Sequence, residues 1–348
     1  MKEVNMPVSI VAAGGSSSGE ADTDFQDAQA NGRVVACLDA SAISHKVIPY
    51  AAAIARAFRA SLTLLQVLEV ASKTDAPPDP VEWDIRRREV HEHLKRLASE
   101  RGDESFRIDT VVIEGRPAEQ IWLWARNQGI NLIAVGTHGD SGAADWALGD
   151  TARKLVEKMS GALLLVPSSV PDVPIVHYRR ILVPLDGSCR AESVLPLATL
   201  LAKAGDAELL LAHVIPAPEL TEVGPLEAED LTLKEQVRSR NERVARQYLE
   251  LIRVRIAQQG ISVNVTLRDG DVCGGLARIA IDEAVDLVVL SAHGRGAHAD
   301  VSCGSVASYL LTHATTPLLI VLYRSQKQVR NQVAQDDTKG RPPGRALL

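Results

Sequence analysis

The chain repeats itself, and the repeat constrains the fold more than any other feature. Residues 34–39, VVACLD, and 181–186, ILVPLD, are short apolar runs ending in aspartate, 147 residues apart. The next apolar runs, 62–67 and 209–214, end at Val67 and Val214 with the same offset of 147. Further on the offset is 155: Glu114-Gly115 faces Asp269-Gly270, the run 131–136 faces 286–291, Gly139 faces Gly294, and Gly149 faces Gly304. One change of eight residues, 155 − 147, places a single insertion in the second copy between its second strand and the Asp269 turn.

Each copy reads strand, helix, strand, long connection with a helix, strand, helix, strand, helix, strand. Apolar periodicity predicts helices over Val47–Phe58 and its partner Val194–Leu201, and over Val306–Leu311. The copies close on the runs Ala162–Val166 and Leu318–Leu322. Short apolar runs alternating with longer helices predict an α/β fold: two repeated open parallel five-stranded sheets with helices on both faces. The domains are expected at 32–167 and 179–323. A linker at 168–178 contains prolines, and the segments 1–31 and 324–348 read as disordered from their polar, Gly/Ser-rich or charged composition. The charged helix expected at about 227–259, with Lys234, Glu235, Arg238 and Arg240, reads as a solvated face.

A net charge of −6 gives no reason to expect nucleic-acid binding. No run of 18 apolar residues appears, so no membrane span is expected. The start, MKEVNMPVSIVAAGG, is too short and too soon followed by acidic, Ser/Gly-rich sequence to read as a signal peptide. Cys37, Cys189, Cys273 and Cys303 form neither a CxxC pair nor a metal-ligand spacing, and suit a reducing cytoplasm. His91 and His93, two apart on a helix, point to different sides and read as surface decoration.

In an open α/β sheet, ligands bind beyond the carboxyl ends of the strands, where strand order reverses. In the second copy those positions hold Asp186-Gly187-Ser188, Val214, and Ser291-Ala292-His293-Gly294-Arg295, followed by Gly304-Ser305 at the start of an apolar helix. Gly294 and Gly304 allow close approach of backbone amides to an anion. Ser305 opens a helix, where free amides and the dipole favour phosphate. Arg295 offers a donor fork, Asp186 an acceptor for base or ribose, and Val214 an apolar wall. His213 reads as half-buried structure.

The motif G-x-x-G, nine residues, G-[S/T] after the fourth strand resembles the nucleotide motif of the universal stress protein family. The V-P-x-D-G-S run at 183–188, the H-V ending of the second strand and the E-G-x-P-A-E turn at 114–119 belong to the same resemblance, which spans both copies. It implies an adenine-nucleotide α-hydrolase-like, Rossmann-like fold and a ligand such as ATP, ADP or AMP, with or without Mg²⁺. Carried over by position, Asp186 and Val214 surround the adenine, Ser291, His293, Gly294, Arg295, Gly304, Ser305 and Val306 form the ribose and phosphate loop, and Pro184 joins the set as a further cofactor-binding position. The departure here is Ser291, where the motif has its first glycine.

The first copy offers Asp39, Val67, Gly136, Gly139 and Gly149 at the same places. It departs at Cys37, which replaces the proline, at Asp140, opposite Arg295, and at Asp150, where the phosphate-binding Ser or Thr belongs. Two carboxylates facing a triphosphate repel it unless a cation bridges them, so the first copy is expected to be mainly structural. Family resemblance also implies that the last strand of one domain pairs with that of the other, here within one chain as a pseudo-dimer, with homodimerisation of whole chains left open.

Other readings fit less well. Gly294-Arg295-Gly296-Ala297-His298-Ala299 matches G-x-G-x-x-A formally but follows the fourth strand, not the first. No P-loop occurs, and the G-x-S-x-G string at 15–19 falls in the Gly/Ser-rich start, outside both repeats, where no strand–turn–helix elbow is expected. No catalytic residue is assigned; slow ATP hydrolysis, with His293 or Asp186 positioning a water, and a nucleotide-free interaction scaffold are the alternatives.

Overall fold

The computed structural model describes residues 32–69, 79–102, 106–137, 148–218, 227–295 and 303–322. Gly139, Asp140 and both terminal segments lie outside the described residues. The first half runs β1 (Arg33–Leu38), a 3₁₀ turn (Ala42–Lys46), α1 (Val47–Phe58), β2 (Ser61–Leu68), α2 (Pro80–Arg101) and β3 (Ile108–Glu114). It continues with α3 (Pro117–Asn127), β4 (Leu132–Gly136), α4 (Asp150–Lys158) and β5 (Gly161–Val166). The second half runs β6 (Arg180–Pro184), α5 (Cys189–Glu192), α6 (Leu195–Gly205), β7 (Glu208–Ile215), α7 (Ala228–Ala257) and β8 (Val263–Asp269). It closes with α8 (Val272–Asp282), β9 (Leu287–Ser291), α9 (Ser305–His313) and β10 (Leu318–Leu322).

Each half is an open parallel five-stranded sheet, and the two halves join in one sheet of order β3-β2-β1-β4-β5-β10-β9-β6-β7-β8. The junction is antiparallel, with Leu164 opposite Leu319 and Leu163 opposite Ile320, all four fully buried. Side chains of a strand alternate between faces, so β1 sends Val34, Ala36 and Leu38 into one core layer and Val35 and Cys37 into the other. Both layers draw residues from both halves. The Cys37 thiol is raised well above its ordinary pKa by burial and serves as a small core hydrophobe.

Helix boundaries follow local chemistry. Asp79 caps α2 by accepting from the Val81 amide, with Pro80 at the first helical position, where its missing N–H costs nothing. Glu227 and Asp230 form a capping box at the start of α7. The eight-residue change of offset resolves into helix length, 22 residues in α2 against 30 in α7. The buried Leu94 and Leu97 stand 155 residues before the buried Leu249 and Ile252, so the C-terminal parts of α2 and α7 are in register. The extra length therefore extends the N-terminal end of α7, by seven residues (235 − 228) beyond the counterpart of Pro80, or about 10 Å at 1.5 Å per residue.

Candidate functional site

Strand order reverses between β1 and β4 and between β6 and β9, and the carboxyl ends of those strands are where an open sheet accommodates a ligand. At the second reversal a cleft of about 770 Å³ opens. The ten positions assigned in the second copy, Pro184, Asp186, Val214, Ser291, His293, Gly294, Arg295, Gly304, Ser305 and Val306, all line it.

Asp186 ties the two strand ends together. Its Oδ1 accepts from the Ser188 amide at 2.9 Å and the Ser188 hydroxyl at 2.6 Å, and its Oδ2 accepts from the Arg295 amide at 2.7 Å. Burial pushes this carboxyl up, but the Ser188 hydroxyl, the Arg295 and Ser188 amides and the Arg295 charge outweigh burial and hold it below its ordinary value. The link requires a glycine at 294, where a Cβ would collide with Asp186 Oδ2. Gly187 has φ +76°, a left-handed conformation that suits glycine, and lies under the Arg295 guanidinium.

Gly304 is different. A Cβ there would meet nothing nearer than 3.5 Å, so the fold leaves room for a side chain that the sequence does not use. Gly304 is the N-cap of α9 and supplies no side-chain cap, and Ser305 follows as its first residue. A helix start without a side-chain cap presents amide donors and the positive end of the dipole to the cleft.

The apolar side is built by Val214, only 4% exposed and packed against the space left by Gly275, where a Cβ would come within 3.2 Å of its methyls. His213 donates from Nδ1 to the Leu185 carbonyl at 2.6 Å, holding β7 to the loop after β6. His293 stands in the β9 loop, its amide 3.4 Å from the Ser291 hydroxyl.

One wall was not read from the sequence. Helix α7 contributes Arg240, Asn241, Val244, Ala245 and Tyr248 to the cleft, and α8 contributes Val272 and Leu276. Arg238 pairs with Glu235 at 2.8 Å and Asp269 at 2.9 Å, and Arg240 is exposed as a solvated face requires, but it stands where that face borders the cleft. Periodicity identifies α7 as a helix; it does not say which of its polar positions the packed Leu249 and Ile252 turn toward the strand ends. Tyr248 donates to Glu192 at 3.0 Å, bracing α7 against α5.

In the first half, Asp39 repeats the Asp186 turn, accepting from the Ser41 amide at 2.8 Å and hydroxyl at 2.5 Å. Gly149 donates to the Thr137 carbonyl at 2.7 Å as Gly304 does to Ala292 at 2.8 Å, while Gly136 ends β4 and Val67 lies in β2. Asp150 is the first residue of α4, and Arg153 and Lys154 pair with it at 2.7 and 2.5 Å. It places an anion of the chain's own at the start of that helix. His93 also departs from the surface reading, since its Nε2 lies 3.2 Å from His45 Nε2.

The family model described as universal stress protein family matches residues 30–167 and again 177–321. The chain belongs to the universal stress protein family. A universal stress protein of Bacillus subtilis is 26% identical over 144 residues, covering 38% of this chain and 97% of the relative. One from Synechocystis is 28% identical over 160 residues, covering 41% and 97%. Among solved structures, a universal stress protein from Archaeoglobus fulgidus superposes with TM-score 0.60 at 18% identity, covering 83% of this chain and 98% of that one. A putative universal stress protein from Pseudomonas aeruginosa superposes with TM-score 0.61 at 15% identity, covering 89% and 99%. At these identities the structures share the fold. No helix among the described residues is long and apolar enough to cross a membrane.

Proposed function

We propose that this universal stress protein binds an adenine nucleotide in its second repeat. The base lies against Val214 within reach of Asp186, and the phosphates meet Arg295, Ser305 and the first amides of α9. The observation that carries this reading is Gly304: the fold has room for a side chain there, yet the position holds the residue that leaves the start of α9 open to an anion. Its volume of about 770 Å³ is in the range of small-molecule sites. Magnesium would enter on the phosphates, since among the described residues no group of three His, Cys, Asp or Glu is placed to hold a metal by itself.

The first repeat serves mainly as structure, with Asp150 occupying the start of α4 where the phosphates would sit. The β5–β10 pairing acts as an internal dimer contact that leaves neither last strand as an open edge. Cys37, Cys189, Cys273 and Cys303, none of them in a disulfide, fit a reducing cytoplasm. The role is binding within a stress response, with at most slow hydrolysis of the bound nucleotide.

Calorimetric titration with ATP, with and without magnesium, tests the reading against Gly304→Asp. Saturable binding that the variant loses supports it. No heat and no competition by ADP or AMP at millimolar ligand would turn the reading to a nucleotide-free interaction scaffold of the same fold.

A further inference from the structure

The two offsets of the repeat bring an unexpected pair into correspondence. Glu192 matches His45 (192 − 147 = 45), and Tyr248 matches His93 (248 − 155 = 93). In the second repeat these positions hold the Tyr248–Glu192 hydrogen bond beside the cleft. The first repeat fills them with two histidines whose Nε2 atoms are 3.2 Å apart and whose ring centroids are 5.1 Å apart.

The protons of this pair follow from its neighbours. Arg96 Nη2 lies 3.2 Å from His93 Nδ1, and a guanidinium only donates, so Nδ1 is a lone pair. The single proton of neutral His93 is therefore on Nε2, where it donates to His45 Nε2, and His45 keeps its own proton on Nδ1. A second proton between the rings would set N–H against N–H.

The surroundings decide which way the equilibrium leans. Burial disfavours the charged form of His45, and His93 and Arg101 disfavour it further; Asp172 and Asp39 act the other way, and the net effect lowers its pKa. Residues beside the pair hold the interdomain connection. Lys46, the next residue, donates to the carbonyls of Ser168 and Val170 at 2.8 and 2.9 Å, and Arg101 of α2 donates to the Val173 carbonyl at 3.2 Å.

We propose that His45 and His93 form a proton-operated clasp: neutral, it holds α2 to the turn after β1 and to the linker, and one added proton opens it. The first repeat, on this account, carries a pH-responsive element where the second carries a permanent brace. This holds whether or not the second repeat binds nucleotide. A histidine whose folded pKa is lowered stabilises the fold fully above its ordinary value of 6.5. That contribution is lost as pH falls below 6.5 and through the folded value.

The test compares the full chain with the double variant His45→Glu, His93→Tyr, which installs the brace that the protein already uses in its second repeat. Hydrogen exchange of residues 80–101 and 168–173 is followed from about pH 7.5 to about pH 5.5. Taking the ratio of wild type to variant at each pH cancels the intrinsic rate. Expected is a several-fold rise in that ratio on acidification, with nitrogen chemical shifts at neutral pH showing His93 protonated on Nε2 and His45 on Nδ1. A flat ratio, or the opposite tautomers, overturns the proposal. Protection of α2 by added zinc at neutral pH, absent in the variant, would replace it with a metal clasp.

Discussion

Asp186 Oδ2 accepts the backbone amide of Arg295 at 2.7 Å, across 109 residues of sequence. That bond joins the ends of β6 and β9 at the place where strand order reverses, and it sets the spacing between the side of the cleft that would hold a base and the side that would hold phosphates. Replacement of Asp186 by Asn removes the charge and sets an amide group among donors. A half-buried, charge-assisted link of this kind is worth about 1–3 kcal/mol, and denaturant unfolding should show a loss in that range.

The same carboxylate fixes a sign for the pH dependence. Its folded pKa is below the ordinary 3.8, so its contribution is complete above that value and is lost as pH falls through the folded one. The stability gap between wild type and Asp186→Asn should therefore be constant near neutrality and close below about pH 4. A gap that widens on acidification would mean that burial, not the Ser188 and Arg295 donors, governs this group.

Gly294 and Gly304 should respond differently to the same change. Gly294→Ala drives a Cβ into Asp186 and should cost about 1–3 kcal/mol of stability. Gly304→Ala meets ordinary contacts and should leave stability within about 0.5 kcal/mol. It should still weaken nucleotide binding, because the methyl stands at the open start of α9. Thermal unfolding and ATP titration of the two variants separate the effects.

The junction between the halves should behave as core. Leu164→Ala, at a fully buried position opposite Leu319, should cost about 2–5 kcal/mol. Both repeats contribute to the same two core layers, so calorimetry should show one transition moving down as a unit. Two separated transitions, with only one displaced, would contradict a continuous sheet.

Strands and helices were legible because alternating short apolar runs and longer periodic segments state a parallel sheet directly; the helix expected at Val47–Phe58 is found over those residues. That the positions after β6 and β9 would border a cleft was legible because topology alone says where to look. What the sequence hid depends on contacts between distant segments. Arg240 and Tyr248 reach the cleft only because Leu249 and Ile252 fix the rotation of α7 on the sheet. His93 looks idle until the turn after β1 brings His45 to it.

The nucleotide site is decided by what the protein carries out of the cell. Purified without added nucleotide, denatured, and its released small molecules identified by chromatography and mass, the chain should yield about one adenine nucleotide per molecule, and Gly304→Asp none. About two per chain would contradict the assignment of the first repeat to structure. None, with no uptake of ATP and magnesium on titration, would contradict the nucleotide site itself.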